Sequence, residues 1–409
     1  MPPSASKALV VGCGAAGLMA MDVLSAAGYQ VTGVDHMPSI ARKVLRAGIG
    51  GLNVCHSEDS TAFLQRYDSD YPPLLQAIRD FGRHELEAFL HELGIATLVG
   101  SSGRIFPVAM KASPLLRAWK TRLDARAVTW HLRSRWLGQI RPGLQQLQTS
   151  DGDSLQLAAD VVILALGGGS WPRLGSDGGW TMQMPEPCLP FQASNVGVLI
   201  AGHETWRRHH GSALKDCTIR LGDVQTRGDL LLTSYGLEGG AIYALTRTLR
   251  THLAAAATAG IHLDLRPQQS ATALLARLQA CPRRLSLSNR WRRAGFKPIE
   301  VDLVRDQLAA QDWSDDTAFI ACLKDLRLEV QGLRPVAEAI STVGGLDTRS
   351  LDEHFMLKSW PGVFCAGEML NFDAPTGGYL LTAAWASGRA AALAALDWSA
   401  QMRAGGERL

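Results

Sequence analysis

Apolar runs, a glycine turn and an acid follow one another closely near the start of the chain. The apolar stretch Ala8–Val11 predicts a short buried strand, and Ala15–Ala27 has the small and apolar composition of a packed helix. Gly28 is placed to end that helix. A second apolar run, Gln30–Val34, ends at Asp35. The pattern therefore predicts a β-α-β unit with two parallel strands.

Helices and strands continue to alternate through the first half of the chain. The periodicity predicts helices over Pro72–Phe81, Glu85–Leu93 and Ser113–Leu123, strands over 127–137, 144–149 and Leu155–Leu157, and a buried strand in 159–169 that runs into glycines. The sequence DGDS, residues 151–154, predicts a hairpin turn between two of these strands.

The pattern changes near residue 190 and changes back near residue 335. Short strands with turns are expected over about 191–245, and mostly helices over about 246–330. After that, a strand at Val363–Ala366 and a helix from about Tyr379 to Leu396 return to the earlier pattern. We therefore expect one discontinuous domain, 1–190 with 336–409, interrupted by an inserted domain, 191–335.

Composition indicates a soluble globular protein. The chain has 409 residues, 46% hydrophobic and 19% charged, with a net charge of +3, so the whole chain does not suggest nucleic-acid binding. Its seven cysteines form no CxxC pair and no zinc-like spacing, which predicts reduced thiols, a cytoplasmic location and no metal site. No apolar run reaches membrane-spanning length, so no membrane association is expected.

Charge is nevertheless uneven. From Leu265 to Ile299 the chain has no acidic residue, although eight Lys or Arg residues fall inside this stretch. Solvated helix faces are the favoured interpretation. Binding of RNA through this basic segment remains an alternative.

The glycine turn fits the G-x-G-x-x-G pattern of dinucleotide-binding proteins. Gly12 permits a sharp turn, Gly14 lets the backbone approach a pyrophosphate, and Gly17 lets helix and strand pack closely. Ala15 and Ala16 then lie in the first helical turn, whose free N–H groups favour phosphate. Asp35, 18 residues after Gly17, is placed to accept hydrogen bonds from ribose hydroxyls.

The C-terminal region distinguishes FAD from NAD as the predicted dinucleotide. The strand Val363–Ala366 leads into Gly367 and Glu368, and Gly377, Gly378 and Tyr379 open a helix of small residues. Flavoproteins with two dinucleotide-binding folds use such a strand and helix near the ribityl chain and the flavin ring. The positive end of the helix would favour the anionic reduced flavin.

Four blocks of sequence carry a family resemblance: Leu9–Gly17, Arg42–His56, 159–180 and 362–381. On these blocks the chain resembles the YhiN/BaiN-type family of NAD(P)/FAD-dependent oxidoreductases. The resemblance implies an α/β fold, namely a two-dinucleotide-binding, glutathione-reductase-like Rossmann-type FAD domain. It also implies an inserted β-rich, barrel-like domain that carries a helical segment.

The resemblance also implies positions for cofactor contacts. Arg42 and Lys43 would lie near the phosphates, although surface charge is an alternative for both. The backbone of Trp136 would lie near adenine and Gly167 would follow a central strand. Gly367 and Glu368 would meet the ribityl chain. The isoalloxazine would lie against Gly377, Gly378, Tyr379 and Leu380.

The loop of residues 48–56 departs from the family pattern G-x-G-R-C-N-x-T-N. Asn53 is retained, whereas Gly51, Leu52 and His56 replace the usual Arg, Cys and Asn. We expect the loop to lie against FAD, with Gly50 and its neighbouring glycines admitting the backbone and Asn53 holding the turn or the cofactor. Activities that use the missing Arg or Cys do not transfer.

His56 and Cys55 are candidate catalytic residues beside the flavin, with Tyr235 and Tyr379 as further proton donors. A histidine that only satisfies loop backbone and a small buried cysteine are the structural alternatives. The predicted function is an FAD-dependent oxidoreductase that reduces an unsaturated small molecule or nucleobase. Since no second G-x-G-x-x-G occurs, NAD(P)H would act as a transient donor. The alternatives are an RNA- or ribosome-binding flavoprotein that reduces uridine in ribosomal RNA, and an oxidase of a small aminoketone.

Overall fold

The computed structural model describes residues 6–201 and 204–406, which form two compact units. The first unit contains the described residues up to Gln192 and those from Ile340 onward. The second unit is Ala193–Ala339, apart from residues 202 and 203. Each unit has its own apolar core.

The elements of the first part of the chain are as follows. The strands are β1 (Lys7–Val11), β2 (Gln30–Asp35), β3 (Cys55–His56), β4 (Thr97–Val99), β5 (Arg104–Pro107), β6 (Thr129–Leu132), β7 (Ser134–Arg141), β8 (Leu144–Thr149), β9 (Ser154–Ala158), β10 (Val161–Leu164) and β11 (Cys188–Ser194). The helices are α1 (Ala15–Ala26), α2 (Arg42–Ala47), α3 (Ser60–Leu64), α4 (Pro72–Asp80), α5 (Arg83–Glu92) and α6 (Ala112–Ala125).

The remaining elements belong to the second unit and to the returning segment. The second unit has strands β12 (Val198–Ile200), β13 (Ala213–Leu221), β14 (Val224–Leu232), β15 (Gly236–Glu238), β16 (Ala259–Asp264) and β17 (Leu326–Leu333). Its helices are α7 (Gly240–Tyr243), α8 (Thr246–Ala255), α9 (Ala271–Gln279), α10 (Leu287–Arg293), α11 (Pro298–Gln307) and α12 (Asp316–Lys324). The returning segment has β18 (Ser341–Leu346), β19 (Val363–Cys365) and α13 (Tyr379–Gly406).

A parallel five-stranded sheet in the order β19-β10-β1-β2-β6 organises the first unit. Because all strands run in one direction, the residues that follow them meet at one edge. Two three-stranded antiparallel sheets, β3-β5-β4 and β7-β8-β9, complete this Rossmann-type α/β arrangement, and β11 pairs with β18.

Small residues let α1 pack closely on both sides. An ideal Cβ on Gly17 would lie 1.8 Å from the Gly12 carbonyl oxygen, so a side chain there would collide with the β1–α1 turn. A Cβ on Gly388 of α13 would lie 2.3 Å from the Ala16 carbonyl oxygen. Both glycines are therefore required by contact between α1 and its neighbours.

The second unit is built on a closed barrel of six strands in the order β12-β15-β14-β13-β16-β17. Strands β16 and β17 lie outside the predicted β-rich range 191–245. In β16 the apolar residues Ala259, Ile261 and Leu263 are buried and alternate with more exposed positions. This strand is short and lies between helical segments, so its period of two was missed in the sequence.

No helix within residues 6–201 and 204–406 combines the length and apolar character needed to cross a bilayer.

Candidate cofactor site

A cavity of about 480 Å³ opens at the carboxyl edge of the parallel sheet. Most of the residues predicted for the cofactor line this cavity: Gly12, Gly14, Ala15, Ala16, Asp35, Arg42, Lys43, Asn53, Trp136, Gly167, Gly367, Glu368, Gly377, Gly378 and Leu380. The fold thus brings together positions that lie more than 300 residues apart in the sequence. Five predicted residues do not line the cavity: Gly17, Gly50, Cys55, His56 and Tyr379.

The β1–α1 turn has the form that a pyrophosphate requires. Gly12 has φ +98°, and a Cβ there would lie 2.1 Å from the Ala165 carbonyl oxygen. Gly14 has no heavy atom within 4 Å of its Cβ position, and no side chain caps α1 at this residue. The first N–H groups of α1 are therefore available to an anion in the cavity.

Asp35 is held rigidly at the end of β2. Its Oδ2 accepts a hydrogen bond from the Cys13 N–H at 2.9 Å, and its Oδ1 accepts one from the Met37 N–H at 2.8 Å. A carboxylate oxygen accepts more than one hydrogen bond, so both oxygens retain capacity for ligand hydroxyls.

Two buried polar atoms of the cavity wall have no hydrogen-bond partner among the described residues. They are Nε of Arg42 and Oδ1 of Asn53. The guanidinium of Arg42 makes one bond, from NH1 to the Ser39 Oγ at 3.1 Å. Because an unpaired buried polar atom costs roughly 1–3 kcal/mol, these atoms indicate that a polar ligand completes the site. The glycine turn, Asp35 and these atoms fit a dinucleotide.

Lys43 and Glu368 contact each other although they were predicted at different parts of the cofactor. The Lys43 Nζ lies 2.5 Å from the Glu368 Oε2 and donates to the Ser170 Oγ at 2.6 Å. The other Glu368 oxygen accepts a hydrogen bond from the Thr342 N–H at 3.1 Å. Glu368 therefore offsets the charge of Lys43, whereas Arg42 contributes a buried donor, Nε, that has no partner among the described residues.

Gly377 and Gly378 connect the cavity with β3. A Cβ on Gly378 would lie 2.5 Å from the Cys55 Cα, and Gly378 has φ +105°. Cys55 itself is buried, and burial is the largest cause that raises the pKa of its thiol. The thiol therefore stays protonated near neutral pH, which favours the structural interpretation of Cys55 over a nucleophile.

Both ring nitrogens of His56 are engaged by backbone. Nδ1 accepts a hydrogen bond from the Glu58 N–H at 3.1 Å, and Nε2 lies 3.0 Å from the Ser102 carbonyl oxygen. Because Nδ1 accepts a hydrogen bond, we assign the ring proton to Nε2, which then donates to the Ser102 carbonyl oxygen. The ring also stacks on Tyr379, with centroids 5.7 Å apart. The geometry favours a histidine that holds its loop rather than an acid–base group.

Glu58 is a residue of this region that the sequence interpretation missed. Burial raises its pKa, but hydrogen bonds from Arg66 and Tyr379 outweigh this and leave the pKa below its usual value. The Tyr379 hydroxyl donates to Glu58, and burial followed by this carboxylate raises the pKa of the tyrosine. Tyr379 therefore remains a neutral donor to an ionised Glu58. The only sequence signal was an acidic residue two positions after His56, which is the last position of the loop that departs from the family pattern.

The cavity lining includes three tryptophans, of which one was predicted. The buried Trp136 of β7 donates from Nε1 to the Gln145 Oε1 at 2.9 Å. Trp180 donates from Nε1 to the Gly167 carbonyl oxygen at 2.9 Å. Trp171 has φ +59°, and the Arg46 guanidinium lies 4.7 Å from its ring centre. Both additional tryptophans come from the block 159–180, so the sequence marked their segment but not their side chains.

Gly48 and Gly51 pack against protein. A Cβ on Gly48 would lie 2.8 Å from the Ala112 Cβ, and one on Gly51, with φ +113°, would lie 2.9 Å from the Met110 Cε. Gly50 is exposed and has no heavy atom within 4 Å of its Cβ position. Gly48 and Gly51 thus let the loop pack against α6 and the segment before it, and Asn53 is the residue of this loop that lines the cavity.

Comparison with known proteins shows the family over almost the whole chain. The profile of the HI0933-like protein Rossmann domain matches residues 6–394. A 3-dehydro-bile acid delta(4,6)-reductase from Clostridium scindens is 23% identical, with 95% of this chain and 98% of that protein covered. A ribosomal RNA dihydrouridine synthase from Escherichia coli K12 is 26% identical, with 94% and 96% covered.

A solved structure agrees at the level of the fold. The 3-ketosteroid-delta4-(5alpha)-dehydrogenase from Rhodococcus jostii RHA1 superposes with a TM-score of 0.50 at 13% identity, covering 96% of this chain and 97% of that chain. The family match, the carboxyl-edge cavity and the dinucleotide turn agree with one another. The chain belongs to the HI0933-like Rossmann family, the YhiN/BaiN-type flavoproteins, and is an FAD-dependent oxidoreductase.

Proposed function

We propose that this protein reduces a carbon–carbon double bond of an unsaturated small molecule, with NAD(P)H as the transient electron donor. The observation that carries the proposal is the cavity with its glycine turn and two unpaired buried atoms, on Arg42 and Asn53. The named activities of the relatives support reduction as the direction of reaction, since one relative is a bile-acid reductase and another is a dihydrouridine synthase.

The residues of the chain would hold FAD rather than perform the electron transfer. Bound FAD supplies the hydride chemistry. Asp35 would accept hydrogen bonds from ribose hydroxyls, and the N-terminus of α1 with Arg42 would hold the phosphates. Asn53, Gly377 and Gly378 would lie at the flavin end of the cavity, where α13 begins.

The donor is proposed to visit transiently because the sequence has one G-x-G-x-x-G pattern, at Gly12–Gly17. A second nucleotide site of the same kind would need another strand, glycine turn and helix in that spacing. Gly167-Gly168-Gly169 follows a strand but does not have it.

An anaerobic experiment tests both half-reactions. The purified yellow holoenzyme is mixed with NADH or NADPH, and the visible absorbance of the flavin should bleach with one of them. Addition of an enone, 3-oxochol-4-en-24-oate, should then restore the absorbance. No bleaching with either nucleotide would reject the NAD(P)H donor, and no recovery with the enone would reject its reduction.

A second candidate is reduction of uridine in RNA. The relatives named ribosomal RNA dihydrouridine synthase favour it, and so does a set of exposed basic residues in the second unit: Arg283, Arg284, Arg292 and Arg293. The chemistry would be the same saturation of a double bond, on a polymeric substrate. In the anaerobic experiment, uridine-containing RNA would then restore the absorbance where the enone does not.

A further inference from the structure

The cofactor cavity contains an ion pair that phosphate binding does not explain. Lys43 of α2 and Glu368, which follows β19, both line the cavity. The Lys43 Nζ lies 2.5 Å from the Glu368 Oε2, and the two side chains are 28% and 18% exposed. A carboxylate at this distance cancels the attraction of a lysine for phosphate. The pair therefore needs a different role in the cavity.

Both side chains of the pair are held by further hydrogen bonds. The Lys43 Nζ donates to the Ser170 Oγ at 2.6 Å. The Glu368 Oε1 accepts a hydrogen bond from the Thr342 N–H at 3.1 Å, and the Thr342 Oγ1 accepts one from the Gly169 N–H at 3.2 Å. Because these partners belong to β18 and to the segment after β10, the two charges have fixed positions in the cavity.

Backbone also packs directly against the Glu368 carboxyl group. An ideal Cβ on Gly168 would lie 2.1 Å from the Thr342 Oγ1 and 3.0 Å from the Glu368 Cδ. Glycine at position 168 admits this close approach, which shields the carboxylate from solvent on that side. A shielded charge acts more strongly on its surroundings than a charge in water.

The pair lies beside the groups that are proposed to hold the phosphates. An ideal Cβ on Gly367 would lie 2.8 Å from the Ala16 Cβ, so Glu368 follows a residue that touches the first turn of α1. Lys43 follows Arg42, whose Nε has no partner among the described residues. The same cavity is lined at its other end by the start of α13. The pair and the flavin end therefore share one cavity.

Charge in this cavity changes the relative stability of oxidised and reduced FAD. A nearby cation stabilises the anionic reduced flavin, and a nearby carboxylate destabilises it. Lys43 alone would therefore raise the reduction potential of the flavin, and Glu368 alone would lower it. A lower potential makes reduced FAD the stronger electron donor, which the reduction of a double bond requires.

We propose that Lys43 and Glu368 form a charge-compensated pair that sets the reduction potential of the bound FAD. Glu368 cancels the cation that would otherwise make reduced FAD a weaker donor. This role rests on the proposed function, in which FAD passes electrons to the substrate. It is an effect of charge on the flavin and is separate from any effect of the two residues on FAD retention.

The test is the reduction potential of the holoenzyme, measured anaerobically at about pH 8 against a redox dye and without substrate. Glu368→Gln leaves Lys43 uncompensated and should shift the potential to more positive values. Lys43→Met leaves Glu368 uncompensated and should shift it to more negative values. Each shift should reflect at least about a tenfold change in the relative affinity for reduced and oxidised FAD, which is about 30 mV for a two-electron couple.

Two further variants serve as controls. The double variant, Lys43→Met with Glu368→Gln, should return the potential toward the wild-type value. Asp264→Asn changes the net charge as Glu368→Gln does. Asp264 pairs with Lys324 at 2.6 Å, with side chains 22% and 20% exposed, and neither residue is among those that line the cavity. This variant should keep the wild-type potential.

Opposite shifts that cancel in the double variant are the expected result. Shifts of the same sign, no shift in either single variant, or an equal shift in Asp264→Asn would overturn the proposal. If the single variants lose FAD, the dissociation constants of oxidised and reduced FAD are measured on the apoproteins. An equal loss of affinity for both forms would overturn the proposal and make the pair an anchor for FAD only. Opposite shifts in a holoenzyme that does not reduce the enone would reject the proposed function and retain the tuning pair.

Discussion

At the scale of single residues, the unpaired Oδ1 of Asn53 gives a prediction that separates an effect on FAD binding from an effect on folding. Asn53→Ala removes a buried acceptor without a partner, so the apoprotein should lose little stability. If FAD supplies the partner, the same change should weaken FAD binding by roughly 2- to 10-fold. FAD titration of the apoprotein and urea unfolding measure the two effects.

Asn195→Ala provides the contrasting control. Asn195 is 1% exposed and its Nδ2 donates to the Ser194 Oγ at 3.2 Å, within the second unit. Its loss should lower the free energy of unfolding by about 1–3 kcal/mol and leave FAD affinity unchanged. Full FAD affinity in Asn53→Ala would contradict the assignment of Asn53 to the cofactor.

Residues whose role depends on local backbone were predictable, and those whose role depends on a distant partner were not. Gly12, Gly14 and Asp35 follow from one β-α-β spacing. The ion pair of Lys43 and Glu368 joins positions 325 apart, and no local pattern specifies that the two side chains meet. For the same reason the sequence identified His56 by its chemistry and missed the backbone groups that occupy both ring nitrogens.

At the scale of elements, Gly378 and Gly50 make a matched pair of glycines. In Gly378→Ala the new Cβ would lie 2.5 Å from the Cys55 backbone at φ +105°, so β3 and the start of α13 must separate. Strain of this kind costs on the order of 1–3 kcal/mol. We expect reduced stability by urea unfolding and reduced FAD content. Gly50→Ala meets open space and should leave both near wild type.

The two outcomes also distinguish packing from cofactor contact. If Gly50→Ala lost FAD while remaining as stable as wild type, the loop would contact the cofactor as the sequence interpretation expected. If Gly378→Ala had wild-type stability and FAD content, the contact between α13 and β3 would not be needed for the site.

Elements with a long, clear period were predictable, and short strands between helices were not. Strand β1, helix α1 and strand β2 differ from their predicted bounds by one residue at an end. Strand β16 is six residues long and completes a barrel whose other strands lie on both sides of it in sequence. Closure of a barrel depends on strands that are distant in the sequence. The residues of β16 alone therefore could not predict that this segment forms a barrel strand.

At the scale of the whole molecule, the arginines of the acid-free stretch 265–299 fall into two groups, those paired with acidic residues and those exposed to solvent. Arg266 pairs with Glu300 at 2.6 Å and Arg290 pairs with Asp316 at 2.7 Å, with both acids outside the stretch. Arg290 is only 6% exposed. A variant that includes Arg290→Ala therefore tests folding rather than RNA binding, since loss of a buried partner costs about 3–5 kcal/mol.

Substitution of the exposed arginines alone separates the two effects. If uridine in RNA is the substrate, alanine at Arg283, Arg284, Arg292 and Arg293 should weaken RNA binding and reduce the slope of log affinity against log salt by about 2–3, because each lost phosphate contact contributes roughly 0.7 on a single strand. The variant should unfold like wild type. The control variant has the same net charge. In it, alanine replaces four exposed arginines of the first unit: Arg117, Arg141, Arg173 and Arg349. Equal RNA affinity in both variants would show that net charge alone attracts RNA, which leaves the unsaturated small molecule as the substrate to pursue.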